Sequence, residues 1–278
     1  KSGELYFASV DGAVHALLPD GTLKWKTKLI GSIRTRPIVT HDALYFVGEH
    51  DVVTALARED GRILWTYDKE PVEEITIAGH AGLLLEDGRL YAAFTDGAVA
   101  AMNPADGRLF WEVETALDVE RRPGNVPQFL DVDTTPVMLG GTLYVASFTA
   151  GLYALNPVNG SVEWRDAAFQ AVTGLAAAGR MLVISSARRG ISLMDLRTRE
   201  VQWEKAPERG APTAPIVTET GTVIYGESQG SLLALSLSDG REIARAEGGA
   251  GFSATPSVEG ELGGALSNGG RFLFLRIN

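Results

Sequence analysis

Five tryptophans, Trp25, Trp65, Trp111, Trp164 and Trp203, are the chain's whole complement, and each closes the same phrase. Successive spacings of 40, 46, 53 and 39 residues fall near the period of a propeller blade. The phrase opens on Leu5-Tyr6, Leu44-Tyr45, Leu90-Tyr91, Leu143-Tyr144 or Leu182-Val183. A turn pair follows, Asp20-Gly21, Asp60-Gly61, Asp106-Gly107 or Asn159-Gly160, its glycine four residues before the Trp. The fifth copy has Thr198-Arg199 there, which predicts a turn of different geometry. A sixth copy runs through Val223-Ile224, Leu235 and Asp239-Gly240 with Ala244 in the Trp slot, and a seventh, decayed copy covers Phe252 to Asn278.

Each unit reads as four short strands. Segments such as Thr142 to Ser147 and Gly151 to Leu155 are rich in β-branched, aromatic and Leu residues and are bounded by polar or Gly punctuation, the pattern of hairpin-linked strands. Asp-Gly and Asn-Gly tolerate positive φ and favour tight turns that match strand twist. Prolines at Arg36-Pro37, Thr135-Pro136, Ala214-Pro215 and Thr255-Pro256 lack a donor and predict a weakly paired innermost strand lining a channel. One such sheet cannot cover both its faces, so units must stack. The expected fold is therefore all-β: a β-propeller of four-stranded antiparallel blades in one domain over 1–278. Seven blades are expected, the first lacking its inner strand and the last its outer strand, or eight if upstream residues complete the circle. At one phase in five repeats, the tryptophans read as packing wedges between blades rather than a ligand platform.

Composition narrows the function. With 25 Lys+Arg against 35 Asp+Glu, the net charge is −10, so phosphate backbones and anionic lipid surfaces are poor partners. No cysteine is present, which removes thiolate metal sites, disulfides and a Cys nucleophile. No apolar run approaches the roughly 18 residues of a membrane-spanning helix. His15, His41, His50 and His80 lie at different phases of different repeats, and no Ser/His/Asp set or nucleophile elbow can be assembled from spacing. Arg34 and Arg36 alternate on one inner strand, as an anion site in the channel or as solvated lining. No enzyme activity, cofactor or metal is expected, and the chain is expected to be a monomer.

Relative to a period near 40, about 6 extra residues follow Trp65 and about 13 follow Trp111. Both fall in connections between neighbouring blades, hence on one rim, and long loops on a rigid scaffold are where binding resides. The first includes Glu73, Glu74, Ile75, Thr76, Ile77 and Ala78. The second sets the basic pair Arg121-Arg122 beside apolar Val126, Phe129 and Leu130, a composition suited to a protein partner. Asp131 and Asp133 form the only close acidic pair in an inner-strand context, and they also read as plain turn residues.

The phrase from Gly151-Leu152-Tyr153-Ala154-Leu155-Asn156-Pro157 to Trp164 resembles the pyrroloquinoline-quinone-type (PQQ-like) repeat. Within that superfamily the chain is similar to the BamB family of outer-membrane protein assembly factors. Three stretches carry the likeness: Gly31-Ser32-Ile33-Arg34-Thr35-Arg36-Pro37-Ile38-Val39, Asp131-Val132-Asp133-Thr134-Thr135-Pro136-Val137, and the tail from Gly251-Phe252. The resemblance implies a non-catalytic scaffold on the periplasmic side of the outer membrane, touching the membrane only through an upstream lipid anchor. It also implies docking of the two long connections on the periplasmic domains of the barrel-assembly protein BamA, with nascent outer-membrane proteins as a further partner. Ile75, Ile77, Asp131 and Asp133 match the family's docking positions, while Ala78 stands where the family commonly has Arg. A ligand-sensing propeller of a receptor or kinase remains an alternative, and a quinoprotein enzyme a third, disfavoured by the absence of cysteine.

Overall fold

The computed structural model describes residues 3–69, 81–115, 132 and 134–277. Seven antiparallel sheets follow one another along the chain, each with its strands in sequence order. The first comprises Leu5–Ala8, Ala13–Leu17 and Leu23–Lys28; the second Ile38–Val39, Ala43–Val47, Val53–Ala57 and Ile63–Tyr67. The third comprises Leu84–Glu86, Arg89–Ala93, Ala98–Met102 and Leu109–Glu114; the fourth Val137–Leu139, Thr142–Ser147, Gly151–Leu155 and Val162–Asp166. The fifth comprises Val172–Ala178, Met181–Ser186, Gly190–Asp195 and Glu200–Lys205; the sixth Ile216–Val217, Thr222–Gly226, Ser231–Ser236 and Glu242–Glu247. Three strands, Ser257–Glu259, Leu262–Leu266 and Phe272–Arg276, make the seventh. These are the blades of a seven-bladed β-propeller. Among the described residues helix is confined to the 3-10 turn Glu49–Asp51, and no helix is long and apolar enough to cross a membrane.

The first strands that follow Pro37, Pro136, Pro215 and Pro256 have two or three residues, as does Leu84–Glu86, which no proline precedes, whereas Val172–Ala178 has seven. A short first strand is therefore usual here with or without a proline in front of it. The structure corrects the reading of Arg34 and Arg36, which lie in the connection before Ile38–Val39 rather than on that strand. Both are exposed, and Arg34 Nε donates to Ser32 Oγ at 3.1 Å.

The chain divides into two compact units: Lys1–Pro136 with Leu155–Glu163, and Val137–Ala154 with Trp164–Asn278. Within each, the central strands are buried on both faces, because successive residues point to opposite sides of the sheet. In the first unit Leu44, Phe46 and Leu56 join a cluster with Val14, Ala16 and Trp25 of the first sheet. Their chain neighbours Tyr45, Val47 and Ala55 join a different cluster with Leu90, Ala92 and Phe94 of the third. In the second unit Leu182, Ile184 and Met194 meet the fourth sheet's Tyr144 and Leu152, whereas Val183, Ile191 and Leu193 meet the sixth sheet's Tyr225 and Leu235. A strand serving two cores has no solvent-facing side, which is why these segments are mostly apolar and their few polar residues, such as Thr54, Ser185 and Ser192, are buried.

The tryptophans recur in a common register. Trp25, Trp65, Trp111 and Trp203 stand opposite Ala16, Ala55, Ala101 and Leu193, and a register shift follows each pair. Four of the five rings lie against a glycine of the next repeat: a Cβ at Gly61, Gly107, Gly160 or Gly240 would come within 2.5, 2.6, 2.6 or 2.7 Å of the rings of Trp25, Trp65, Trp111 and Trp203. Their indole N–H groups donate to the carbonyls of Arg58, Pro104, Pro157 and Leu237 at 3.0, 2.9, 3.0 and 2.8 Å. Tyr45 and Tyr91 donate to the same Pro104 and Pro157 oxygens.

Trp164 departs from this, and the turn facing it does not have the altered geometry its sequence predicts. Arg199 N donates to Asp195 O at 2.7 Å, the bond that Gly107 N makes to Asn103 O and Gly160 N to Asn156 O, and Arg199 φ is +59°. The left-handed conformation is thus kept with a side chain present, which costs about 1 kcal/mol. Thr198 Oγ1 accepts from Glu200 N in place of the turn Asp. The difference falls on the tryptophan: the Arg199 guanidinium sits 5.7 Å from the centroid of the Trp164 ring, whose N–H makes no hydrogen bond among the described residues.

Candidate functional site

The segments with the extra residues are 70–80 and 116–131. Ile75, Ile77, Ala78, Arg121, Arg122, Phe129, Asp131 and Asp133 lie outside the described residues. What the structure places are the ends from which these connections depart and return, all in the first unit.

Those ends gather on the turn Phe94-Thr95-Asp96-Gly97, which joins the central strands of the third sheet. Phe94 N donates to Ala98 O and Gly97 N to Phe94 O, while Asp96 Oδ1 accepts from Ala98 N, so the turn closes on itself. Lys69, the last described residue before 70–80, reaches it from the second sheet. Its ammonium lies 3.0 Å from Asp96 and 2.8 Å from Glu112, and 5.1 Å from the centroid of the Phe94 ring. Thr115, the last described residue before 116–131, donates from N and from Oγ1 to Gly97 O at 3.0 and 2.8 Å. Val132, on the return, donates from N to Phe94 O at 3.2 Å and is 1% exposed. The two returns also meet, since Gly82 N donates to Thr135 Oγ1 at 2.8 Å. A Cβ on Gly82 would come within 2.6 Å of that oxygen, so the close approach requires glycine. From the other side Asp51 accepts from Thr95 N and Oγ1 at 3.0 and 2.7 Å.

The electrostatics are those of a closed anchor rather than a reactive centre. Burial is the largest single influence on Lys69 and pulls its pKa down, but hydrogen bonds and charge from Glu112 and Asp96 outweigh it and raise the pKa above the usual lysine value. Tyr67, whose hydroxyl donates to Glu112 at 2.9 Å, is pushed up to about 12, by burial first and by Glu112 second. Lys69 therefore stays cationic and Tyr67 neutral through the physiological range, and neither is poised to move a proton. Among the described residues no group of three or more His, Asp or Glu side chains could hold a metal ion. His15 stacks on Phe7, His41 is exposed beside Asp42, and His50 lies in the Glu49–Asp51 turn.

Insertion length exposes the two connections in the sequence, but not the turn that holds them. Asp96-Gly97 looks like any repeat turn, and Lys69 and Thr115 are single polar residues after outer strands. A cue exists only in retrospect: both follow their Trp by four residues, the place where the chain leaves the outer strand.

Taken together, the repeat, the seven sheets and the Trp–Gly packing define a PQQ-like repeat propeller. A family model described as outer membrane protein assembly factor BamB matches residues 1–205, and the chain belongs to that family. It is 24% identical over 265 residues to the BamB of Yersinia pestis, covering 93% of this chain and 65% of that protein. To the BamB of Salmonella typhimurium it is 25% identical over 263 residues, covering 94% of this chain and 66% of that one. The chain thus spans slightly less than two-thirds of the length of these curated relatives. The crystal structure of BamB from Moraxella catarrhalis superposes with a TM-score of 0.79 at 19% identity, over 99% of this chain and 82% of that one.

Proposed function

We propose that this protein is a non-catalytic scaffold subunit of the outer-membrane β-barrel assembly machinery, acting on the periplasmic side of the outer membrane. Residues 1–278 serve it as one propeller domain. Docking is on the periplasmic domains of BamA, through the connections 70–80 and 116–131 and the acidic pair that follows. Ile75, Ile77 and Phe129 supply apolar contact, Arg121, Arg122, Asp131 and Asp133 supply charge, and Ala78 leaves one family charge unfilled. Trp25, Trp65, Trp111, Trp164 and Trp203 are structural.

The observation that supports this reading best is the convergence of both connections on the Phe94–Gly97 turn. Two loops rooted on separate blades can present a single surface only if their ends are held in one frame, and rigid presentation lowers the ordering cost of association. Membership of the BamB family supports BamA as the partner.

The test is binding of the purified chain to the isolated periplasmic domains of BamA. Replacing Asp131 and Asp133 by Arg is expected to weaken the complex at least tenfold while leaving thermal unfolding unchanged, because like-charge contacts at an interface are penalised. Unchanged affinity would overturn the assignment of these two residues, and no binding by the native chain would overturn the partner.

A further inference from the structure

We infer that the Phe94–Gly97 turn couples the two long connections, with Lys69 and Asp96 as positioning residues that act on both though neither needs to touch a partner. The consequence for docking rests on the reading above; the coupling itself does not.

The geometry carries the inference. Three of the four connection ends bond to one four-residue turn, each at a different atom. Asp96 carboxylate takes Lys69 at the start of the first connection. Gly97 carbonyl takes Thr115 at the start of the second, and Phe94 carbonyl takes Val132 at its end. The turn can shift in response to one connection only by disturbing the other. Lys69 is the cation that makes the shift costly. Its side chain and that of Asp96 are 11% and 12% exposed, so removing Lys69 leaves Asp96 a poorly solvated charge without its ion-pair partner. Glu112 ties the same ammonium to the outer strand Leu109–Glu114, which leads directly into Thr115. One side chain of the first connection is therefore bonded to both the turn and the strand that set where the second begins. Charge pairs occur at the equivalent turns of other sheets, Asp11 with Lys28 and Arg189 with Glu204, but each joins the turn to a strand of its own sheet, whereas Lys69 reaches the turn from the sheet before.

Peptide-resolved hydrogen exchange on the full chain tests the coupling without any partner. Lys69→Met is expected to raise exchange about tenfold in peptides reporting the Thr115 and Val132 amides, while peptides from Val137–Leu155 keep their native protection. Unchanged exchange at Thr115 and Val132 would overturn the inference, because Lys69 would then be merely the local end of its own connection. Should Lys69→Met fold poorly, Asp96→Asn, which keeps an acceptor for Ala98 N and loses the ion pair, decides. A rise in exchange at the Thr115 and Val132 amides supports coupling, and native protection at either overturns it. In the BamA binding assay Lys69→Met is expected to weaken affinity about tenfold. Absence of binding by the native protein would sink the docking reading and leave the exchange result to judge the coupling.

Discussion

Two tryptophan contacts in this molecule share a turn backbone and differ by one side chain. At Trp65 the facing residue is Gly107, the ring lies where a Cβ would be, and the indole N–H reaches Pro104 O. At Trp164 the facing residue is Arg199, held in the same left-handed conformation, and the ring gives up its hydrogen bond for a guanidinium at 5.7 Å. The turn is therefore set by the backbone hydrogen bond across it, and the side chain at its left-handed position decides only where the tryptophan goes. Glycine is required at this position by the neighbour it receives more than by the turn it makes.

The contrast can be broken most sharply at the glycine. Gly107→Ala should cost about 3 kcal/mol, from the left-handed strain and the collision with the Trp65 ring. Arg199→Ala should cost less than about 1 kcal/mol, the worth of a cation–π contact at a partly exposed site. Urea unfolding of the two variants checks this, and equal losses would show that the two contacts do not differ. Next in size, Trp65→Phe should cost about 1 kcal/mol more than Trp164→Phe, because only the first removes a made hydrogen bond. Arg199→Gly should sit within about 0.5 kcal/mol of the native protein, strain relief offsetting the lost cation–π contact. Its informative readout is the Trp164 indole proton in NMR, which should move to the hydrogen-bonded region.

The smallest effect is acidic. Beside the Trp203–Gly240 contact, Lys205 bridges to Glu242, and Arg245 pairs with Glu242 and Glu208. The hydrogen bond from Arg245 is the main reason Glu242 is held down to about 2, with Lys205 assisting and burial opposing. A depressed carboxyl contributes stability that is present above its ordinary value near 4.5 and is lost as pH falls through about 2. The melting temperature should therefore decline between pH 5 and pH 2 by less in Glu242→Gln than in the native chain. Parallel curves would remove this carboxylate from the account.

Much of this architecture was legible because it is repeated. Leu44-Tyr45, Asp60-Gly61 and Trp65 place a strand, a turn and a strand, and their recurrence turns a weak local signal into a fold. The prolines mark four of the short first strands, but Leu84–Glu86 is as short without one. Arg199 shows where residue type misleads: an arginine argues for a different turn geometry, yet the surrounding hydrogen bonds impose the same one. For the candidate site, insertion lengths located the loops after Trp65 and Trp111, since departures from a period need no structure to be seen. The turn that anchors them was illegible. Its bonds use the backbone carbonyls of Phe94 and Gly97, which no sequence distinguishes, and a lysine whose partners lie 27 and 43 residues away.

The strands that bury both faces have a consequence for how disturbance travels. Leu44 and Tyr45 are adjacent in the chain, yet their side chains belong to different cores, as Leu182 and Val183 do in the second unit. Proximity along the backbone therefore says little about energetic kinship here: an injury at one residue weakens the sheet on its left, at the next residue the sheet on its right. The second and fifth sheets are each a wall shared by two rooms, and what passes between the rooms must go through the wall.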